Sequence, residues 1–169
     1  MLKHFRMFAD YNRWANGKLY AAARELTDAE YRRDMGAFFG SLHKTLNHLL
    51  IADRVWMHRF SGEGQPPKVL NAILFEELPE LEAARQAEDL GIIAWCDGLD
   101  DERLAGTLTY VPVSNPVVVS QSLAPALAHF FNHQTHHRGQ CHMTLTALGK
   151  PSLALDLIYF LREDGTRWA

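Results

Sequence analysis

The run SLAPALAHFFNHQTHHRGQCHMTLTALGKP (residues 122–151) carries its own start and stop signals for one long helix. Pro125 suits a first helical turn, Gly149 a left-handed cap, and Pro151 bars continuation, so a helix is predicted from about Ser122 to Leu148. Four of the chain's nine histidines fall between positions 129 and 137. His129, His133 and His137 are spaced by four, so on a helix they drift only about 40° per step and stack on one face. Ala126, Gln140 and Thr144 share that stripe, and Leu123, Phe130, Cys141 and Leu148 border it. A small or polar stripe beside an apolar face is the lining of a polar cavity inside a helix bundle. His136 lies toward the edge of the stripe, and His142 points away from it toward the surface.

Further helices follow from the same 3.6-residue period. Residues 3–25 place Phe5, Phe8, Ala9, Ala15, Leu19, Ala22 and Leu26 on one face. Ser41 is a good N-cap for a second helix that runs to about Phe60, where SGEGQPP stops it. Its core stripe is Leu42, Leu46, Leu49, Trp56 and Phe60. A third helix is predicted from about Phe75 to Cys96. The β-branched run RLAGTLTYVPVSNPVVVS, broken by Pro112 and the turn-like Ser114-Asn115-Pro116, predicts a short hairpin or extended crossing loop. After Pro151, Ser152 can cap a last short helix, Leu153–Arg162. Long helices joined by connections of more than ten residues predict an all-α four-helix bundle that is not simply up-down-up-down. No internal repeat or second domain is visible, and residues 1–169 read as one domain.

Composition narrows the function classes. No apolar run approaches the 18 or so residues of a membrane span, and MLKHFRMFADYNRW lacks a secretory apolar region. Cys96 and Cys141 are too few for a disulfide scaffold, which predicts a reduced, cytoplasmic setting. Residues 1–60 carry 10 Lys and Arg against 6 Asp and Glu, and residues 61–103 carry 3 against 11. The basic excess is scattered rather than arranged as a phosphate-tracking stripe, so nucleic acid is not an expected partner.

A metal site needs at least three ligands, so a histidine pair at i, i+4 must recruit a third from another helix. His48, on the shoulder of the second helix's apolar face, is favoured by pattern over His43 and His58, which sit further round. Pattern alone leaves open that the histidines simply fill polar interior space. Asp53 falls inside the second helix's apolar stripe, and Asn12 and Asn16 inside the first's. Burying them unpartnered would cost a few kcal/mol each, so each needs a partner. They are expected either to form structural contacts, such as Asp53 with Arg13 or Arg138, or to line the cavity. Cys141 reads as a small core residue rather than a ligand.

The segments YNRWAN (11–16), SLHKTLNHLLIADRVW (41–56), HFFNHQTHHRGQ (129–140) and GKPSLALDLIYFLRE (149–163) together resemble the DinB/YfiT-like superfamily of small helical-bundle proteins. Residues 61–121 carry little of the likeness. The resemblance implies an up-down-down-up bundle, a divalent metal held by His48, His133 and His137, and frequent homodimers. Members of that superfamily include a mycothiol-linked maleylpyruvate isomerase and bacillithiol S-transferases, and many have no assigned activity. Tyr11 and Trp14, off the first helix's core stripe, add the expectation of an exposed aromatic association surface.

Two functions compete. One is a metal-dependent enzyme, a thiol-dependent S-transferase or isomerase or else a hydrolase, in which Zn²⁺ or Ni²⁺ activates a low-molecular-weight thiol or water. His129, Gln140, Asn16 and Asp53 are then candidates to orient a small-molecule substrate or move a proton. The other is a non-catalytic metal-binding or stress-response protein, which keeps the triad without a substrate cavity.

Overall fold

The computed structural model describes residues 1–113 and 117–169. Four long helices make the frame: α1 (Leu2–Arg24), α3 (Leu42–Ser61), α4 (Leu78–Asp97) and α6 (Leu123–Ala147). Shorter ones are α2 (Asp28–Arg32), α5 (Asp101–Leu104) and α7 (Leu157–Arg162), and a 3-10 turn spans Thr166–Trp168. Strands β1 (Thr107–Tyr110) and β2 (Val119–Ser122) pair antiparallel, Thr107 opposite Ser122 and Tyr110 opposite Val119. The predicted hairpin before the fourth long helix is therefore present. Its expected turn, Ser114-Asn115-Pro116, lies outside the described residues.

Contacts along the helices give the direction of each. Arg6 reaches the carbonyls of Cys96 and Asp97, while Arg24 pairs with Glu82, so α1 and α4 are antiparallel. Asp53 meets Arg85 and Phe60 stacks on Trp95, so α3 and α4 are parallel. His48 lies beside His137 and Trp56 beside His129, so α3 and α6 are antiparallel. The topology is up-down-down-up.

Every long helix carries the same three levels. At one end Phe5, Phe60, Ile92, Leu127 and Phe130 pack together; at the other, Leu19, Leu42, Leu46, Leu81 and Leu145 do. Between them each helix turns polar side chains inward: Asn12 and Asn16, Asp53, Arg85 and Asp89, and Arg138, all buried. Asn12 and Asn16 donate to Asp89 at 3.0 Å, Arg85 bridges Asp53 and Asp89, and Arg138 donates to Asn12 Oδ1. Asp53 is thus paired with Arg85 of α4, not with Arg13 or Arg138. Arg13 is exposed and reaches Asp164, and Arg138 is taken by Asn12.

The caps follow the sequence signals in most places. Ser41 Oγ accepts from the Lys44 N–H, and Gly149 takes φ 76° after α6. Two starts differ. The third long helix begins at Leu78 rather than Phe75, because the Phe75 backbone is already engaged on both sides. Its N–H donates to Asn47 Oδ1, and its carbonyl accepts from Asn47 Nδ2. The last helix begins at Leu157, with Asp156 rather than Ser152 at its N-cap position. Ser152 instead meets His142 Nε2 at 2.9 Å, and the Leu153 N–H donates to the same nitrogen. His142, expected at the surface, is half-buried by these contacts.

Tyr11 and Trp14 are buried, not exposed. Both pack on Phe160 of α7, and the Tyr11 hydroxyl donates to the Leu155 carbonyl. The C-terminal segment covers this face of α1, and Trp168 Nε1 and Arg167 close it by donating to Asp10. Gly165 permits the return, since a Cβ there would meet the Phe160 ring at 2.5 Å.

Candidate metal centre

His48 projects from α3 and His133 and His137 from successive turns of α6. Their ligating nitrogens lie within 4.8 Å of one another. The Nε2 atoms of His133 and His137 are 3.1 Å apart, against about 3.3 Å for two nitrogens sharing one tetrahedral zinc. His48 Nδ1–H donates to the Leu70 carbonyl at 2.9 Å, and His137 Nδ1–H donates to Gln140 Oε1 at 2.8 Å. With those protons held on Nδ1, the Nε2 lone pairs of both rings face inward. Outer hydrogen bonds of this kind fix the tautomer and aim of an imidazole ligand. The donor set suits one borderline divalent ion.

A DinB family model matches residues 1–167. The chain belongs to the DinB family. It is similar to Protein DinB of Bacillus subtilis (strain 168), at 26% identity over 165 residues, covering 93% of this chain and 92% of that protein.

In this DinB family chain the electrostatics favour unprotonated rings. Burial lowers the His133 pKa to about 3, aided by repulsion from His137 and His48. Burial also lowers His137 to about 4, against the opposing effect of its hydrogen bond to Gln140. His48 is lowered by burial too, partly offset by its bond to Leu70. Neutral imidazole is the ligating form, so the site is held ready for a cation near neutral pH.

These shifts predict an acid-sensitive metal-free fold. Unfolded imidazoles titrate near about 6.5. As pH falls below that value, the unfolded chain takes up protons that the folded triad refuses. Stability from the neutral rings is complete above about 6.5 and is lost toward the folded values of about 4 and 3. Urea midpoints of metal-free protein are expected to drop between pH 7.5 and pH 4.5, and to drop less in His133→Gln. Equal slopes for the two proteins would contradict the burial of a neutral His133.

The other expected site residues divide. Gln140 is at the centre, and its amide also meets His136 Nε2 at 3.2 Å. His129 extends the line of rings from 5.9 Å beyond His133, exposed and against Trp56. Asn16 and Asp53 bond instead within the buried polar level, where Asp89 and Arg85 are their partners. His43 turns to the Phe75 carbonyl and Tyr31, and His58 to the Glu63 carbonyl. Cys141 is fully buried in the core.

Three contributors are absent from the sequence reading. Leu70 supplies only its carbonyl, which no side-chain pattern can announce. Asn47, beside His48 in sequence, is fully buried and pins the loop by accepting from the N–H groups of Leu74 and Phe75. A polar residue inside LNHLL was its available signal. Phe39 stacks on His48 with ring centroids 4.0 Å apart. Gly36 and Gly40, at φ 71° and 83°, form the tight loop that carries it.

Gln140→Ala removes the acceptor that orients His137. It is expected to weaken metal affinity by about 10- to 100-fold while full occupancy is still reached at saturating metal. A chelator-competition titration measures this; unchanged affinity would show that His137 is aimed by packing alone.

Proposed function

We propose that this chain is a divalent-metal-dependent enzyme that activates a low-molecular-weight thiol or water for transfer, isomerisation or hydrolysis of a small molecule. The observation that carries this reading is the convergence of three imidazoles, two with their outer nitrogens tied off, with His48 and His137 buried and only His133 reaching partway to solvent. Three protein donors leave at least one position for an outside ligand on Zn²⁺ or Ni²⁺, as catalytic sites do. Such an ion, when bound, supplies Lewis acidity that makes a thiol or water acidic near neutral pH.

The chain's own groups do the rest. Gln140 and the Leu70 carbonyl hold two rings in one tautomer. Phe39 covers the His48 face and limits water there. His129, at the exposed rim and with its pKa lowered by partial desolvation and by Arg59, is the candidate to accept a proton from a ligand entering beside His133. Both cysteines are buried free thiols, which supports a reducing, cytoplasmic setting. Among the described residues, no helix is long and apolar enough to cross a membrane.

Cobalt-substituted protein tests the reading. Adding azide or a small thiol is expected to change its visible spectrum, and His137→Ala is expected to abolish the signal. A fully occupied cobalt site whose spectrum ignores every added ligand would overturn the enzyme and leave the alternative, a non-catalytic metal-binding or stress-response protein.

A homodimer is proposed on the family likeness alone, since Tyr11 and Trp14 are buried within the chain. Light scattering is expected to give twice the 19.2 kDa of one chain at micromolar concentration, and a 19.2 kDa particle would refute it.

A further inference from the structure

Arg59 lies eleven residues after His48 on α3, only about 20° round the helix and about 16 Å along it. The two side chains share one face, and the residues between them on that face, Ala52 and Val55, are small or apolar and buried. The guanidinium carbon sits 4.5 Å from the Trp56 ring centre and 4.3 Å from that of Tyr110. The Trp56 ring in turn lies 5.1 Å from His129, and His129 lies 5.9 Å from His133. The loop after α3 follows the same face. Pro66 lines a cavity of about 400 Å³ together with Arg59, Tyr110 and Val55, and four residues later Leu70 bonds His48. Arg59 and the triad are therefore the two ends of one strip, floored by α3 and flanked by His129 and this loop.

Arg59 is half-buried, yet among the described residues no acidic side chain pairs with it. Residues 114–116 contain no acid either. Arg54, one and a half turns earlier, shows the usual arrangement, with Glu88 at 3.4 Å. A half-buried guanidinium flanked by two aromatic faces keeps its planar donor edge for an incoming group. Burial lowers its pKa, and no carboxylate acts against that shift.

We propose that Arg59 is a binding residue for a carboxylate on the small molecule whose other end reaches the histidine triad. The inference rests on the enzyme reading above for that other end. A single planar cation matches a singly charged carboxylate in a two-pronged contact. A dianionic phosphate would leave excess charge here, since no other lysine or arginine among the described residues lines this cavity. The Trp56 and Tyr110 faces exclude water from the contact, which strengthens it.

Cobalt-loaded protein is titrated with glutathione, a thiol bearing carboxylates, and with its diethyl ester, following the cobalt–thiolate absorption. Wild-type protein is expected to bind glutathione at least tenfold more tightly than the ester. In Arg59→Gln the preference is expected to vanish while ester affinity and cobalt content stay unchanged. Arg59→Lys, which keeps the charge but loses the planar fork, is expected to retain only part of it. Equal affinities in wild type, or a preference surviving in Arg59→Gln, would overturn the proposal. If neither thiol alters the cobalt spectrum, the open-metal reading has failed, and calorimetry with S-methylglutathione then decides Arg59 separately. Binding to wild type that disappears in Arg59→Gln supports the carboxylate site, and binding indifferent to Arg59, or none, refutes it.

Discussion

Alanine in place of His48, His133 or His137 is expected to lower divalent-metal affinity by about 100- to 1,000-fold. The free energy of a four-ligand structural zinc site is about 10–16 kcal/mol, so one ligand accounts for about 3–4 kcal/mol. The three variants should lose metal together, because each removes one of three converging Nε2 donors. His142→Ala is the matching control. Its ring caps Ser152 and the Leu153 N–H on another side of α6, so its metal content should equal that of wild type. Metal analysis after dialysis reads the difference. Equal occupancy in all four variants would remove the triad as the binding site. The histidines would then be polar filling between helices.

The second large effect belongs to the buried polar level. Arg85→Met is expected to destabilise the fold by about 3–5 kcal/mol, because it leaves Asp53 and Asp89 buried without their shared cation. The loss should depend on pH in a defined sense. Burial already raises the Asp53 pKa to about 6, with Arg85 opposing the rise. A carboxyl raised on folding contributes stability that is present below its ordinary value of 3.8 and lost as pH rises through its folded value. Without Arg85 that value climbs further, so the variant should lose more stability at pH 8 than at pH 5. Urea unfolding at both pH values measures this. A variant no less stable than wild type at pH 8 would mean that the two carboxylates are neutral in the native protein.

This pH dependence runs against that of the triad. Acid destabilises the metal-free site through its refused protons, whereas alkali weakens the carboxylate level.

Much of the frame was legible because its signals are local. Helical period, Ser41, Gly149 and Pro151 act within a few residues of themselves, and α3 and α6 lie where those signals put them. The i, i+4 spacing of His133 and His137 dictates that both face one side of α6 whatever else the chain does. Pattern favoured His48 over His43 and His58, and the likeness to the DinB family pointed to the same residue.

Partnerships across the bundle were not legible in the same way. Asp53 and Asn16 were recognisable as polar residues on apolar stripes, but their partners depend on which helix lies opposite. Arg85 and Asp89 sit on α4, whose rotation and offset against α1 and α3 are set by packing of the apolar levels above and below. The aromatic face of Tyr11 and Trp14 read as exposed because its cover, α7 and the segment after it, arrives from the far end of the chain. Residues within a few positions of one another thus determined the helices, their caps and the common face of His133 and His137. Only the tertiary structure decided that His48 completes the cluster, that a backbone carbonyl at Leu70 aims it, and that Asp53 belongs to Arg85. Those contacts join residues 22 to 89 positions apart, and their geometry exists only once the helices have packed.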